Sequence, residues 1–143
     1  MRFPALLLLA AATILPHAAF GGEPGKQNYM LRCAGCHLTD GSGNEASGIP
    51  NLRGSIGKFL HTPEGRAFLV QVPGTANSPL SDREVTEVLG WMLDNFSRAE
   101  MPPGASPYTA GEVHRLRGTA PADIPKARER VVQGLRDAGQ DVR

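Results

Sequence analysis

Past its first fifteen residues this chain has no long apolar run, and its 143 residues include only two cysteines and no surplus of charge. Each shortage excludes something. Without a second long apolar stretch, nothing beyond the N-terminus can cross a bilayer. Two cysteines three positions apart cannot staple a disulfide scaffold. A zinc site needs about four ligands, and neither a second cysteine pair nor a spaced histidine pair is present. A thioredoxin-like pair needs a βαβ context that this loop-rich chain does not show. A formal net charge of +1 gives no general attraction to nucleic acid or anionic lipid. There is no internal repeat, catalytic triad, carboxylate dyad or phosphate loop. Lone acids such as Asp40 and Glu45 read as loop solvation.

The one long apolar run explains itself by position. Arg2 supplies a positive start, residues 5–15 form a core of signal-peptide length, and Pro16 breaks it. Ala19-Phe20-Gly21 places small residues for cleavage before Gly22. Residues 1–21 are expected to be a cleaved signal peptide, leaving one exported domain of roughly 120 residues without a stable membrane anchor. With Arg2 gone, fourteen basic residues face fourteen acidic ones. A domain of this size buries a limited core. Seventeen glycines and twelve prolines shrink it further, so a large planar cofactor would supply apolar surface that the side chains do not.

Both cysteines fall in Cys33-Ala34-Gly35-Cys36-His37, the pattern C-x-x-C-H. Two thiols at this spacing can each add to one vinyl group of a single porphyrin. The next residue then lies under the metal and can ligate iron through an imidazole nitrogen. Nothing is left over. The motif predicts one covalently attached haem c with its iron, held by Cys33 and Cys36 and ligated by His37. In bacteria this attachment takes place outside the inner membrane, which agrees independently with the leader and predicts the periplasm.

Around the motif the chain reads as short helices and loops. A helix is expected over residues 25–36, followed by a Gly-, Ser-, Asn- and Asp-rich loop over residues 38–57. Pro63 opens a helix running to Val70. Ser81 and Glu84 form a capping box for a helix over Asp82–Phe96, whose Val85, Val88, Leu89, Met92 and Phe96 mark one buried face, with Trp91 at its margin. Thr109 caps a short helix to Leu116, with Glu112 in its capping-box position. Residues 118–122 read as a linker, and a last helix from Pro125 carries Ile124, Ala127, Val131, Leu135 and Ala138 as its apolar stripe. That helix either packs on the domain or docks a partner. His37 needs an acceptor on its second ring nitrogen. The Pro50 carbonyl, thirteen residues on and held by a fixed φ, is the candidate, with Leu52 covering a haem edge.

From Gly25 through Tyr29 to Cys33 and His37, the chain resembles the opening helix of class I c-type cytochromes. Pro50-Asn51-Leu52-Arg53-Gly54, with Gly57, is similar to their following loop, where the proline carbonyl accepts from the proximal histidine. Asp82–Phe96 with Trp91 looks like the later helix on which their glycine and aromatic pack. The resemblance covers residues 23–100 and is denser in the first third. It implies an all-α, cytochrome c-like helical domain wrapped around one haem over residues 22–118. Residues 119–143 add a linker and a C-terminal amphipathic helix.

The sequence departs from that pattern at the sixth iron ligand. The family usually places a methionine before its final helix, yet residues 38–90 contain none, and Val72-Pro73-Gly74 stands at that place. Met101, in Met101-Pro102-Pro103, is the preferred substitute as a displaced ligand loop. His61 is a second candidate and an open site a third. Met92 reads as core, and His114 as solvated. A sulfur ligand raises the potential and a second imidazole lowers it. The expected role is that of an electron carrier, not an enzyme. The partners implied are a periplasmic dehydrogenase as donor and a cytochrome or terminal oxidase as acceptor. A dedicated dehydrogenase subunit and a gas-binding or sensing haem domain are the alternatives.

Overall fold

A computed structural model describes residues 22–142; the expected leader, residues 1–21, lies outside them. The described residues form seven α-helices: α1 (Gly22–Arg32), α2 (Ala34–His37), α3 (Pro63–Gln71), α4 (Pro73–Ala76), α5 (Asp82–Phe96), α6 (Ala110–Arg117) and α7 (Ile124–Asp137). Three 3₁₀ turns join them, at Glu45–Ser47, Ile56–His61 and Arg98–Glu100. Among the described residues no β-strand occurs, only a bridge pairing Asn44 with Ile49. The fold is all-α, as the sequence predicts.

The helix boundaries follow local chemistry. Ser81 accepts from the Glu84 backbone N–H while the Glu84 carboxylate takes the Ser81 N–H, a complete capping box at the start of α5. Thr62 and Asp123 cap α3 and α7, each with a proline in the first turn where a missing N–H costs nothing. Thr109 caps α6, but the Glu112 carboxylate turns away from the cap to clasp Arg66 instead. The expected single helix over residues 25–36 is broken at Cys33, whose φ of −119° leaves helical geometry. Hydrogen bonds from Cys33 N–H to Tyr29 and from His37 N–H to Cys33 carry the turn through, so the kink re-aims the motif without loosening it.

Two cores hold the helices. The larger gathers Tyr29, Leu52, Ile56, Val70, Val85, Leu89, Leu93 and Val113 where α1 crosses α5 and where α3 and α6 close against them. The crossing is very close. A Cβ on Gly25 would stand 2.7 Å from the Trp91 Cβ and would overlap the Glu87 carbonyl oxygen. Tyr29 then meets Trp91 and Phe96 with ring centroids 5.1 Å apart in both pairs. The second core sets α7 on α3. Ala127, Val132 and Leu135 cover Phe59 and Phe68, whose rings stack at 6.2 Å. Of the expected stripe, Ala127 and Leu135 are buried and Ile124 and Val131 are half-buried against the same cluster; Val132 joins them, and Ala138 is exposed.

Candidate functional site

The kink at Cys33 sets the motif on one end of α1. Cys33 is half-buried and Cys36 exposed, and both thiols are free. Burial, with Cys36 nearby, raises the pKa of Cys33 above the ordinary thiol value. His37 Nδ1 lies 3.2 Å from the Pro50 carbonyl oxygen. The Nδ1–H therefore donates to Pro50, which leaves Nε2 with its lone pair free. That is the tautomer a metal requires. Burial lowers the His37 pKa, while the Pro50 carbonyl pulls it back. A neutral, oriented imidazole results.

The loop behind the imidazole is tied in place. Leu52 N–H donates to the Gly41 carbonyl at 2.8 Å, and Gly54 N–H to the Phe96 carbonyl at 2.7 Å. Arg53 reaches Asp40 across the loop at 3.2 Å. Leu52 itself is buried in the main core. Tyr29 Oη donates to the Leu38 carbonyl at 2.5 Å, and Leu38 sits at φ +61°, a conformation that leucine seldom adopts. The strained residue directly follows the motif.

Among the described residues, three large hydrophobic side chains are exposed: Met30, Leu31 and Leu38. All flank residues 33–37. Exposed apolar surface concentrated in one place marks a partner or a ligand. Two accessible thiols, a free Nε2 and bare apolar flanks together fit a covalently attached porphyrin. Cys33, Cys36 and His37 are the residues that would hold it. Among the described residues no cluster of three or more His, Cys, Asp or Glu side chains could hold a separate metal ion.

The remaining candidates lie elsewhere. Met101 follows the 3₁₀ turn at the end of α5, half-buried against the main core. His61 Nε2 lies 3.0 Å from the Glu100 carbonyl. Met92 packs into the core, as expected, and His114 is exposed with its Nδ1 3.1 Å from Asp82. The sequence reading missed Arg117. From α6 it donates to the carbonyls of Ala76, Ser78 and Leu80 and to the Asp82 carboxylate, gripping the connection between α4 and α5. Only its place near the end of a short helix could have hinted at this.

The family model for cytochrome c matches residues 22–101, so α6 and α7 lie outside the match. Two curated proteins from Thermus thermophilus, both named cytochrome c-552, resemble the chain. One is 28% identical over 127 residues, covering 76% of this chain and 84% of its own length. The other is 29% identical over 104 residues, covering 60% and 79%. No solved structure gives a significant match.

Proposed function

This chain belongs to the cytochrome c family, whose members carry electrons on a covalently bound haem c and its iron, and we propose that it passes single electrons in the periplasm. In this reading Cys33 and Cys36 form the thioether links and His37 supplies the proximal nitrogen. The Pro50 carbonyl orients the imidazole, and Leu52, buried in the main core, would offer apolar surface to the bound haem. Residues 1–21 direct export, residues 22–118 form the cytochrome domain, and residues 119–143 form an appended linker and helix. Among the described residues no helix is long and apolar enough to cross a membrane.

The observation that carries this reading is the 3.2 Å approach of His37 Nδ1 to the Pro50 carbonyl beside two free thiols. The haem supplies the one-electron couple. The protein supplies attachment, ligand orientation and burial. An exported dehydrogenase is the donor and a downstream cytochrome or terminal oxidase the acceptor. The apolar stripe of α7 is spent on Phe59 and Phe68 of its own domain, which favours a free carrier over a subunit docked through that stripe.

The test is a reduced-minus-oxidised spectrum with a pyridine haemochrome assay on full-length protein from a host competent for c-type maturation. One haem c per chain, reversibly reduced, is the expected result. Replacement of Cys33 and Cys36 by serine should abolish the covalent mass increment. Colourless protein with both thiols free would falsify the assignment.

A further inference from the structure

We infer that Gly43 is a positioning residue for the iron ligand, fixing how closely the Pro50 carbonyl approaches the His37 imidazole and so how strongly Nε2 donates. The inference rests on His37 ligating the iron of a bound haem. Gly43 touches both partners. Its N–H donates to the His37 carbonyl at 3.1 Å. On its other side, a Cβ would overlap the Pro50 carbonyl oxygen and would stand 2.7 Å from the Ile49 carbonyl oxygen. That Pro50 oxygen is the atom lying 3.2 Å from His37 Nδ1. One residue without a side chain thus joins the main chain of the ligand to the acceptor of its ring.

The loop is zipped so that this contact holds. Asn44 and Ile49 exchange both backbone hydrogen bonds at 2.9 Å in an antiparallel bridge. Gly43 and Pro50 form the next pair along the two limbs, the position at which antiparallel backbones come closest, about 4.5 Å between Cα atoms. Gly43 stands at φ +67°, so a side chain there would be strained as well as obstructed. Gly48, within the same loop, stands at φ +73°, yet a Cβ there would meet nothing within 4 Å beyond its chain neighbours. The two glycines share the backbone demand, and of the two only Gly43 bears on Pro50. A close acceptor on Nδ1–H makes the imidazole a better donor to the metal and favours ferric iron. A carbonyl pushed away from Nδ1 does the reverse.

The experiment compares Gly43→Ala with Gly48→Ala in full-length holoprotein. It reads the reduction potential and, by NMR of the reduced form, the solvent exchange of the His37 Nδ1 proton. Gly43→Ala should move the potential to a more positive value and speed that exchange about tenfold, the factor carried by one ordinary hydrogen bond. Gly48→Ala should keep both at the wild-type values, whatever it costs in stability. Any other pattern overturns the inference, equal shifts in both variants above all, since Gly43 would then be a turn glycine only. Should Gly43→Ala fail to fold, native-state hydrogen exchange of the wild-type holoprotein decides. The Gly43 amide and the His37 Nδ1–H should then open together, with one denaturant dependence. A Gly43 amide released while Nδ1–H stays protected overturns the inference. The haemochrome tells the two levels apart. Without haem c the underlying reading fails; with haem c and a contrary result, only the role of Gly43 fails.

Discussion

Gly25 and Trp91 meet where α1 crosses α5, so closely that a methyl group on the glycine would stand 2.7 Å from the Trp91 Cβ. The opposing atoms are backbone and Cβ, which cannot swing aside as a flexible side-chain end could. The crossing also carries the motif, since Tyr29 and Cys33 lie one and two turns further along the same chain segment. Gly25→Ala should therefore cost about 1–3 kcal/mol, the usual range for overpacking a tight core, although alanine is the better helix former. Chemical denaturation of the haem-loaded protein checks it. A neutral or stabilising result would mean that the two helices sit further apart than described.

Tyr29 and Leu38 form a strained clasp immediately after the motif. The tyrosine hydroxyl holds the Leu38 carbonyl while Leu38 occupies φ +61°. Tyr29→Phe should lose about 1 kcal/mol, the net value of one such bond. Leu38→Gly should recover a similar amount, because glycine adopts positive φ without steric penalty. Denaturation midpoints of the two single variants and the double variant measure both effects. If Leu38→Gly destabilises the protein, leucine's packing outweighs its strain.

Opposite ends of the pH scale should each remove a different support. Burial pushes the Tyr29 phenol up to about 12. Since the folded value lies above the unfolded one, the contribution is complete below about pH 10 and is lost as pH climbs towards 12. At the acid end, Arg66 holds the Glu112 carboxyl below its ordinary value through a bidentate pair at 2.6 and 2.8 Å. That support is present above the unfolded carboxylate pKa of about 4.3 and fades as pH falls through the folded value. Glu112→Gln should flatten the acid limb of the stability curve, and Tyr29→Phe the alkaline limb. Unchanged limbs in either variant would assign the pH dependence to other groups.

The proximal half of the site was readable because it is local. C-x-x-C-H is contiguous, and Pro50 follows thirteen residues after His37, so spacing offered its carbonyl as a candidate acceptor, and the fold brings the two to 3.2 Å. The α5 boundaries were equally legible, set by a capping box and a run of apolar residues at helical period. What escaped depends on distant partners. The Arg117 grip on residues 76–82, the Arg66 pairing that pulls Glu112 off its cap, and the Glu100 carbonyl taken by His61 join positions about 40 apart. No periodicity records such pairings. The burial of Val132 beside the expected Val131 belongs with them, since both valines pack in the cluster that holds Phe59 and Phe68.

Removal of residues 119–143 tests whether the appended helix is a tail or a part of the domain. In the fold, Ala127, Val132 and Leu135 cover the stacked rings of Phe59 and Phe68. Lys58 also reaches the Asp141 carbonyl across the same face. Phe59 belongs to the 3₁₀ turn that bears His61, and Phe68 to α3, so uncovering them loosens the elements beside the haem motif. Burial of two phenylalanines is worth about 1.5–3 kcal/mol each. Part of that returns as freed chain entropy, so truncation after Gly118 should lower stability on the order of 3 kcal/mol. Binding of an apolar dye should rise at the same time. The two should be measured on haem-loaded protein by denaturation and fluorescence. A truncated protein as stable as the full chain, with no new dye binding, would show that α7 rests on the domain without supporting it and would return it to the role of a partner-docking segment.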